Sequence, residues 1–138
     1  MDSEPLLVVD AANVVGSRPD GWWRDRAGAT ARLRDDLAPI ARTGRPGLPP
    51  PVEVTLVVEG AARHVPATDD VRVLAAPRSG DDAIVELVRA EAGHRDRVVV
   101  VTADRELRER VAALGAEVRG PRWLRPDPPT AATPPPSI

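Results

Sequence analysis

Five acidic residues stand at or shortly after the ends of apolar runs: Asp10 behind Leu6-Leu7-Val8-Val9, Glu59 behind Val54–Val58, Asp81 and Asp82 downstream of Val71–Ala75, and Asp104 shortly after Val98–Val101. Carboxylates drawn together repel one another and resist ionisation unless a cation neutralises them. The chain has no Cys, and its two His residues, His64 and His94, are far apart with no second ligand at metal spacing. The ligands on offer are therefore hard oxygens, which suit Mg²⁺ or Mn²⁺ better than zinc. Asp10 carries this expectation best, because a charge directly after four aliphatic residues lies close to the core and needs a partner. Asp81 and Asp104 also precede helical patterns, where an Asp cap contributes about 1 kcal/mol by itself. Glu59 before Gly60 equally suits the start of a solvated loop, and Asp82 an ordinary first helical turn. Asn13 is the sole Asn of the chain and follows Asp10 at the end of the first apolar run. It suits a turn or a cap, or a role beside Asp10. Thr102, two residues before Asp104, suits orienting a carboxylate or simply ending a strand.

The elements that would position these groups can be read from periodicity. Leu6–Val9 is a continuous aliphatic run, the pattern of a strand covered on both faces. A loop with Gly16, Pro19 and Gly21 follows. The segment 27–42 places Leu33, Leu37 and Ile40 at helical spacing among Arg residues, an amphipathic helix. After the breaker-rich stretch Thr43–Pro51, strands are expected over Val52–Val58 and Val71–Ala75. Asp81 opens a helix carrying Ile84, Leu87 and Val88 and ending near Gly93. Arg97–Val101 is the most apolar strand, and 104–114 is a helix stopped by Gly115. Ala116–Arg119 suits a last short strand. Strands alternating with helices imply right-handed crossovers and a mostly parallel sheet between helical layers, an α/β fold. In such sheets ligands bind at the carboxyl ends of the strands, the edge where the acids fall.

At 138 residues the chain has the size of one domain. The domain is expected to span residues 1–124, with 125–138 a Pro-rich disordered tail holding too little apolar surface to offset its ordering entropy. All 19 basic residues are Arg, and Lys, Gln, Phe and Tyr are absent, which reads as GC-rich coding rather than as function. The formal net charge of −2 argues against an indiscriminate nucleic-acid coat. The acidic N-terminus is unlike a signal peptide, and no apolar run reaches the roughly 18 to 20 residues of a membrane span. A cytoplasmic protein with no membrane partner is expected.

The ordered set Leu6–Val14, Ser79–Ile84 and Val99–Leu107 resembles the NYN branch of the PIN-like nucleases, in particular its bacterial YacP-like members. Asp-x-x-Asn after the first strand, an Asp-Asp pair opening a helix, and Thr-x-Asp after a later strand occur in that order, and the resemblance spans 6–124. It implies a three-layer, Rossmann-like PIN fold and metal-dependent hydrolysis of RNA phosphodiesters, with Mg²⁺ or Mn²⁺ as cofactor and RNA as partner. Carried over, Asp10, Asp81 and Asp104 would be metal ligands and Asp82 a ligand or base. Asn13 would position Asp10 or the scissile phosphate, Thr102 would support Asp104, and Glu59 would be a further supporting acid. Arg18, Arg24, Arg26, Arg78 and Arg122 are the candidates for phosphate contacts, with Trp22, Trp23 or Trp123 as stacking surfaces or core. One position departs from the pattern. Some relatives carry another acid one turn after Thr-x-Asp, where this chain has Arg108, leaving Glu106 or Glu59 as substitutes.

Other readings fare worse. Val58-Glu59-Gly60 is similar to the opening of a Toprim domain, but no Asp-x-Asp follows it. A phosphoacceptor receiver would need a Lys, and a haloacid-dehalogenase-like phosphatase an Asp-x-Asp where this chain has Asp10-Ala11-Ala12. P-loop and dinucleotide Gly motifs are missing, so no nucleotide cofactor is expected. Arg108 motivates one alternative, a catalytically silent PIN-like module that binds RNA or protein. Whether the chain forms a homodimer is left open.

Overall fold

The computed structural model describes residues 4–125. Of the expected tail 125–138, residues 126–138 lie outside the described residues. Arg125, assigned to that tail by composition, is packed in the fold, where its guanidinium donates to Asp36 at 2.9 Å.

Five parallel strands, β1 (Leu6–Asp10), β2 (Glu53–Val58), β3 (Val71–Ala75), β4 (Val98–Val101) and β5 (Glu117–Arg119), form one sheet in the order β3-β2-β1-β4-β5. Among the described residues the α-helices are α1 (Ala11–Gly16), α2 (Arg26–Thr43), α3 (Gly80–Glu91), α4 (Arg105–Ala112) and α5 (Pro121–Leu124), with short 3-10 turns at Trp22–Arg24 and Gly60–Ala62. Alternation along β1 divides the core. Leu7 and Val9 face a cluster with Leu33, Leu37 and Ile40 of α2, while Leu6 and Val8 face Ile84 and Val88 of α3 and Leu107 and Val111 of α4. Both faces of the sheet are therefore covered, which is why the central strands read as unbroken aliphatic runs. The result is the expected three-layer α/β/α fold.

Two short helices depart from the sequence reading. Residues after Asp10 were expected to form a loop, yet they form α1, a helix of 6 residues with Ala11, Val14 and Val15 buried. One and a half turns is too short for a 3.6-residue pattern to show. The Asp10 carboxylate caps it, accepting from the Asn13 amide. Helix α5 starts at Pro121, a residue suited to a first helical position. Helix α3 begins at Gly80 with Ser79 as its cap, so Asp81 lies inside the first turn rather than opening the helix. Gly115 has φ +94°, the left-handed backbone that ends the segment after α4.

Candidate functional site

The winding direction reverses between β1 and β4: from β1 the chain proceeds to β2 and β3 on one side, then crosses to β4 and β5 on the other. At such a switch point the loops leaving the two strands part and open a crevice. Val9 pairs with Val101, so Asp10 and Thr102 leave the sheet side by side at its mouth. Both are buried, Asp10 with 4% and Thr102 with 0% of their surface exposed.

Thr102 links two acids. Its hydroxyl donates to Asp10 Oδ2 at 3.0 Å and accepts from the Asp104 amide at 3.1 Å. Asn13 links two loops, because its amide faces Asp10 Oδ1 at 3.4 Å while its side-chain Oδ1 accepts from the Ala103 amide at 2.8 Å. The Asp-x-x-Asn and Thr-x-Asp segments thus interlock across the switch point. Asp104 caps α4, its Oδ1 accepting from Leu107 at 3.0 Å. Glu59, at the end of β2, reaches the start of α3, where its Oε2 accepts from the Gly80 amide at 3.0 Å. A Cβ at position 80 would stand 3.1 Å from Glu59 Oε1, so a larger residue there would require the Glu59 side chain to shift by a few tenths of an ångström.

The charges of these groups bear on one another. Burial, opposed by the Thr102 and Asn13 hydrogen bonds and reinforced by the charges of Asp81 and Glu59, raises the Asp10 pKa from 3.8 to about 6. Asp81 is also raised, first by partial burial and then by the charges of Asp104 and Glu59, with Arg110 opposing. Asp10, Glu59, Asp81 and Asp104 therefore form one electrostatic unit at the strand ends. Asp82 is exposed and is engaged by Arg110 at 3.2 Å. Sequence reasoning missed Arg110, whose spacing on α4 marks it only as an exposed helical base. Arg108 occupies the next turn after Asp104, and Glu106 is exposed on the first turn.

The donor types and their crowding suit a hard divalent cation. The described arrangement does not close around one: among the described residues no group of three His, Asp or Glu side chains is set to hold an ion. Asp104 and Glu59 are each turned to a main-chain amide, and Asp82 to Arg110.

The candidate phosphate contacts are spread around this edge. Arg18 and Arg122 line one cleft with Ala103 and Arg125. Arg78 lines an apolar groove with Leu74 and Asp82. Arg24 lies over the exposed ring of Trp23, its guanidinium 6.0 Å from the centroid. Trp22 and Trp123 are partly buried against the core, with Arg26 over the first ring at 5.3 Å and Arg45 and Arg119 over the second. His64 and His94 are exposed, as expected from their loops. No helix among the described residues is long and apolar enough to cross a membrane.

No family model and no curated protein matches the sequence. Two solved structures are similar to the fold. Rae1 (YacP) from Bacillus subtilis aligns with a TM-score of 0.69 and 20% identity over 90% of this chain and 71% of that one. A single-substitution variant of the same protein gives a TM-score of 0.67, again at 20% identity, over 86% and 70%. An all-parallel sheet in the order β3-β2-β1-β4-β5 between helical layers is thus a YacP-like fold, as the ordered motifs anticipate.

Proposed function

We propose that the chain is a metal-dependent endoribonuclease that hydrolyses RNA phosphodiesters at the acidic edge of its sheet. The observation that carries this reading is the placing of Asp10, Glu59, Asp81 and Asp104 along the carboxyl edge of the sheet, where burial first, and the neighbouring acids after it, raise Asp10 and Asp81. Buried carboxylates beside other acids are costly to a fold even when hydrogen-bonded, and a cation offsets the cost. The fold shared with Rae1 (YacP) and the ordered NYN-like motifs point to RNA as the substrate.

In this reading Asp10, Asp81 and Asp104 would hold Mg²⁺ or Mn²⁺ once drawn together, and the ion would supply charge neutralisation and acidify a nucleophilic water. Thr102 keeps Asp10 and Asp104 in register, and Asn13 fixes the Ala103 turn against α1. Asp82 acts at the outer rim as ligand or base once it leaves Arg110. Arg18, Arg24, Arg78 and Arg122 supply phosphate contacts around the edge.

The test is cleavage of single-stranded RNA by the purified protein with Mn²⁺, alongside Asp10→Asn. Cutting by the native chain and none by the variant is expected, and equal activity in both would sink the assignment. Arg108 in place of a further acid, together with the open arrangement of the carboxylates, favours a second reading, a silent module. Metal-independent RNA binding without cutting is the outcome that would select it.

A further inference from the structure

A cavity of about 250 Å³ lies between α1, α2 and the turns Trp22–Arg24 and Gly60–Ala62. We propose that it binds a nucleobase, that of a nucleotide bordering the phosphodiester that is cut. The inference rests on the reading of the chain as acting on RNA, and extends it to a base subsite.

The lining is that of a slot for a flat, amphipathic ring. Ala11, Val15 and Ala62 are small apolar residues, and Trp22 supplies an aromatic wall. The Arg26 guanidinium lies over the Trp22 ring at 5.3 Å, so the slot also holds a planar cation able to stack on a ring or donate to the acceptors of a base. Sites for drug-sized ligands run from about 300 to 1,000 Å³, so this one is sized for a smaller ring system.

Continuity with the acidic edge indicates which ring. Ala11 follows Asp10 directly, and Glu59 lines the cavity while its charge acts on Asp10 and Asp81. A base held in the slot would bring its own sugar and phosphate to the carboxylates. With Arg26 and Glu59 both on the wall the slot carries no net charge to draw a phosphate in, and its apolar and aromatic lining suits a neutral base. Stacking tolerates every base, and a carboxylate on the wall adds preference for a base edge that carries N–H donors.

The test uses the full chain and mononucleotides and does not read cleavage. The chain has three tryptophans, so its indole N–H signals in ¹H–¹⁵N spectra can be assigned with the single variants Trp23→Phe and Trp123→Phe. Titration with GMP, AMP, CMP and UMP should shift the Trp22 signal saturably, while ribose 5-phosphate should leave it in place. Ala12→Leu, at an exposed position lining the cavity, should abolish the shift, and Arg26→Ala should weaken binding about fivefold or more. The proposal is overturned by a Trp22 signal indifferent to all four nucleotides, by equal shifts with ribose 5-phosphate, or by undiminished binding in Ala12→Leu. Absence of RNA cleavage alongside a base-dependent Trp22 shift would defeat the nuclease reading and leave the base site standing. Cleavage without that shift would do the reverse.

Discussion

The two ends of the sheet use the same residue types to opposite effect. At the strand N-termini every acid named has a guanidinium beside it: Glu53 and Glu91 meet Arg95, and Glu117 meets Arg97 at 2.8 and 2.9 Å. Hydrogen bonding to Arg97 holds Glu117 below its ordinary 4.5, and Arg95 and Arg97 are raised in turn. At the strand C-termini Asp10 and Asp81 go up, first through burial and then through the neighbouring acids, and Arg110 opposes the rise at Asp81 alone. The paired edge is built for stability. At the other edge carboxyls raised first by burial and then by neighbouring acids lower stability at neutral pH, as groups placed for function rather than for the fold do.

The sharpest way to break this contrast is Asp10→Asn. Beyond abolishing RNA cutting, it should stabilise the fold. A carboxyl raised from 3.8 to about 6 favours folding while protonated, below about pH 4, and loses that contribution as pH rises through 6. The shift corresponds to about 3 kcal/mol, so the variant should gain about 2 to 3 kcal/mol at pH 7.5 and nothing at pH 4, read by urea denaturation at the two pH values. A native chain no less stable at pH 7.5 than at pH 5 would remove the strain from the acidic edge. The paired edge should respond with the opposite sign. Glu117, with its lowered pKa, contributes stability above its unfolded value and loses it as the solution is acidified through its folded one.

At that opposite edge, Arg95→Ala should cost about 2 kcal/mol. It strips a mostly buried guanidinium from Glu53 and Glu91 and leaves both half-buried carboxylates without it. Arg72→Ala, which loosens a 3.9 Å contact of an exposed Arg with the same Glu53, should cost under about 0.5 kcal/mol. Equal costs for the two, measured by denaturation, would show that the edge is not organised around Arg95.

Much of this contrast was legible in advance, and unevenly so. The strands could be read because central parallel strands must be aliphatic on both faces, as in Leu6–Val9 and Val98–Val101. Their shared edge followed from topology, which placed Asp10 and Asp104 together before any coordinates. Helix α1 was hidden because six residues show no period, and with it the position of Asn13, whose partner Ala103 is 90 residues away. Arg110 was invisible for a related reason. An Arg on an amphipathic helix looks the same whether it meets water or, as here, Asp82 across from α3. The paired edge was equally unreadable, since nothing local marks Glu53 as the partner of Arg95.

Thr102→Val tests how the acidic edge is held in register. Valine keeps the shape but removes the hydroxyl that donates to Asp10 and accepts from the Asp104 amide. Loss of both bonds at a fully buried position should cost about 1 to 2 kcal/mol. Because the Thr102 bond lowers the Asp10 pKa, that carboxyl should titrate above its native value of about 6, observable by carbon NMR of the side chain. An unchanged titration would detach Thr102 from the unit.

The smallest stability effect carries the finest distinction. Asp104 caps α4, and capping alone is a sufficient structural reason for an Asp there. Asn caps about as well, so Asp104→Asn should stay within about 0.5 kcal/mol of the native chain, while Asp104→Ala should lose about 1 kcal/mol. Removing the charge also removes one cause of the raised Asp81 pKa, which should fall. If Asp104 serves the acidic edge as a ligand, Asp104→Asn should lose RNA cutting while its fold is untouched. If it serves α4 alone, cutting should follow stability and only Asp104→Ala should falter. The two edges then differ in kind: at the paired one removing a charged partner costs stability, and at the acidic one neutralising a carboxylate costs activity.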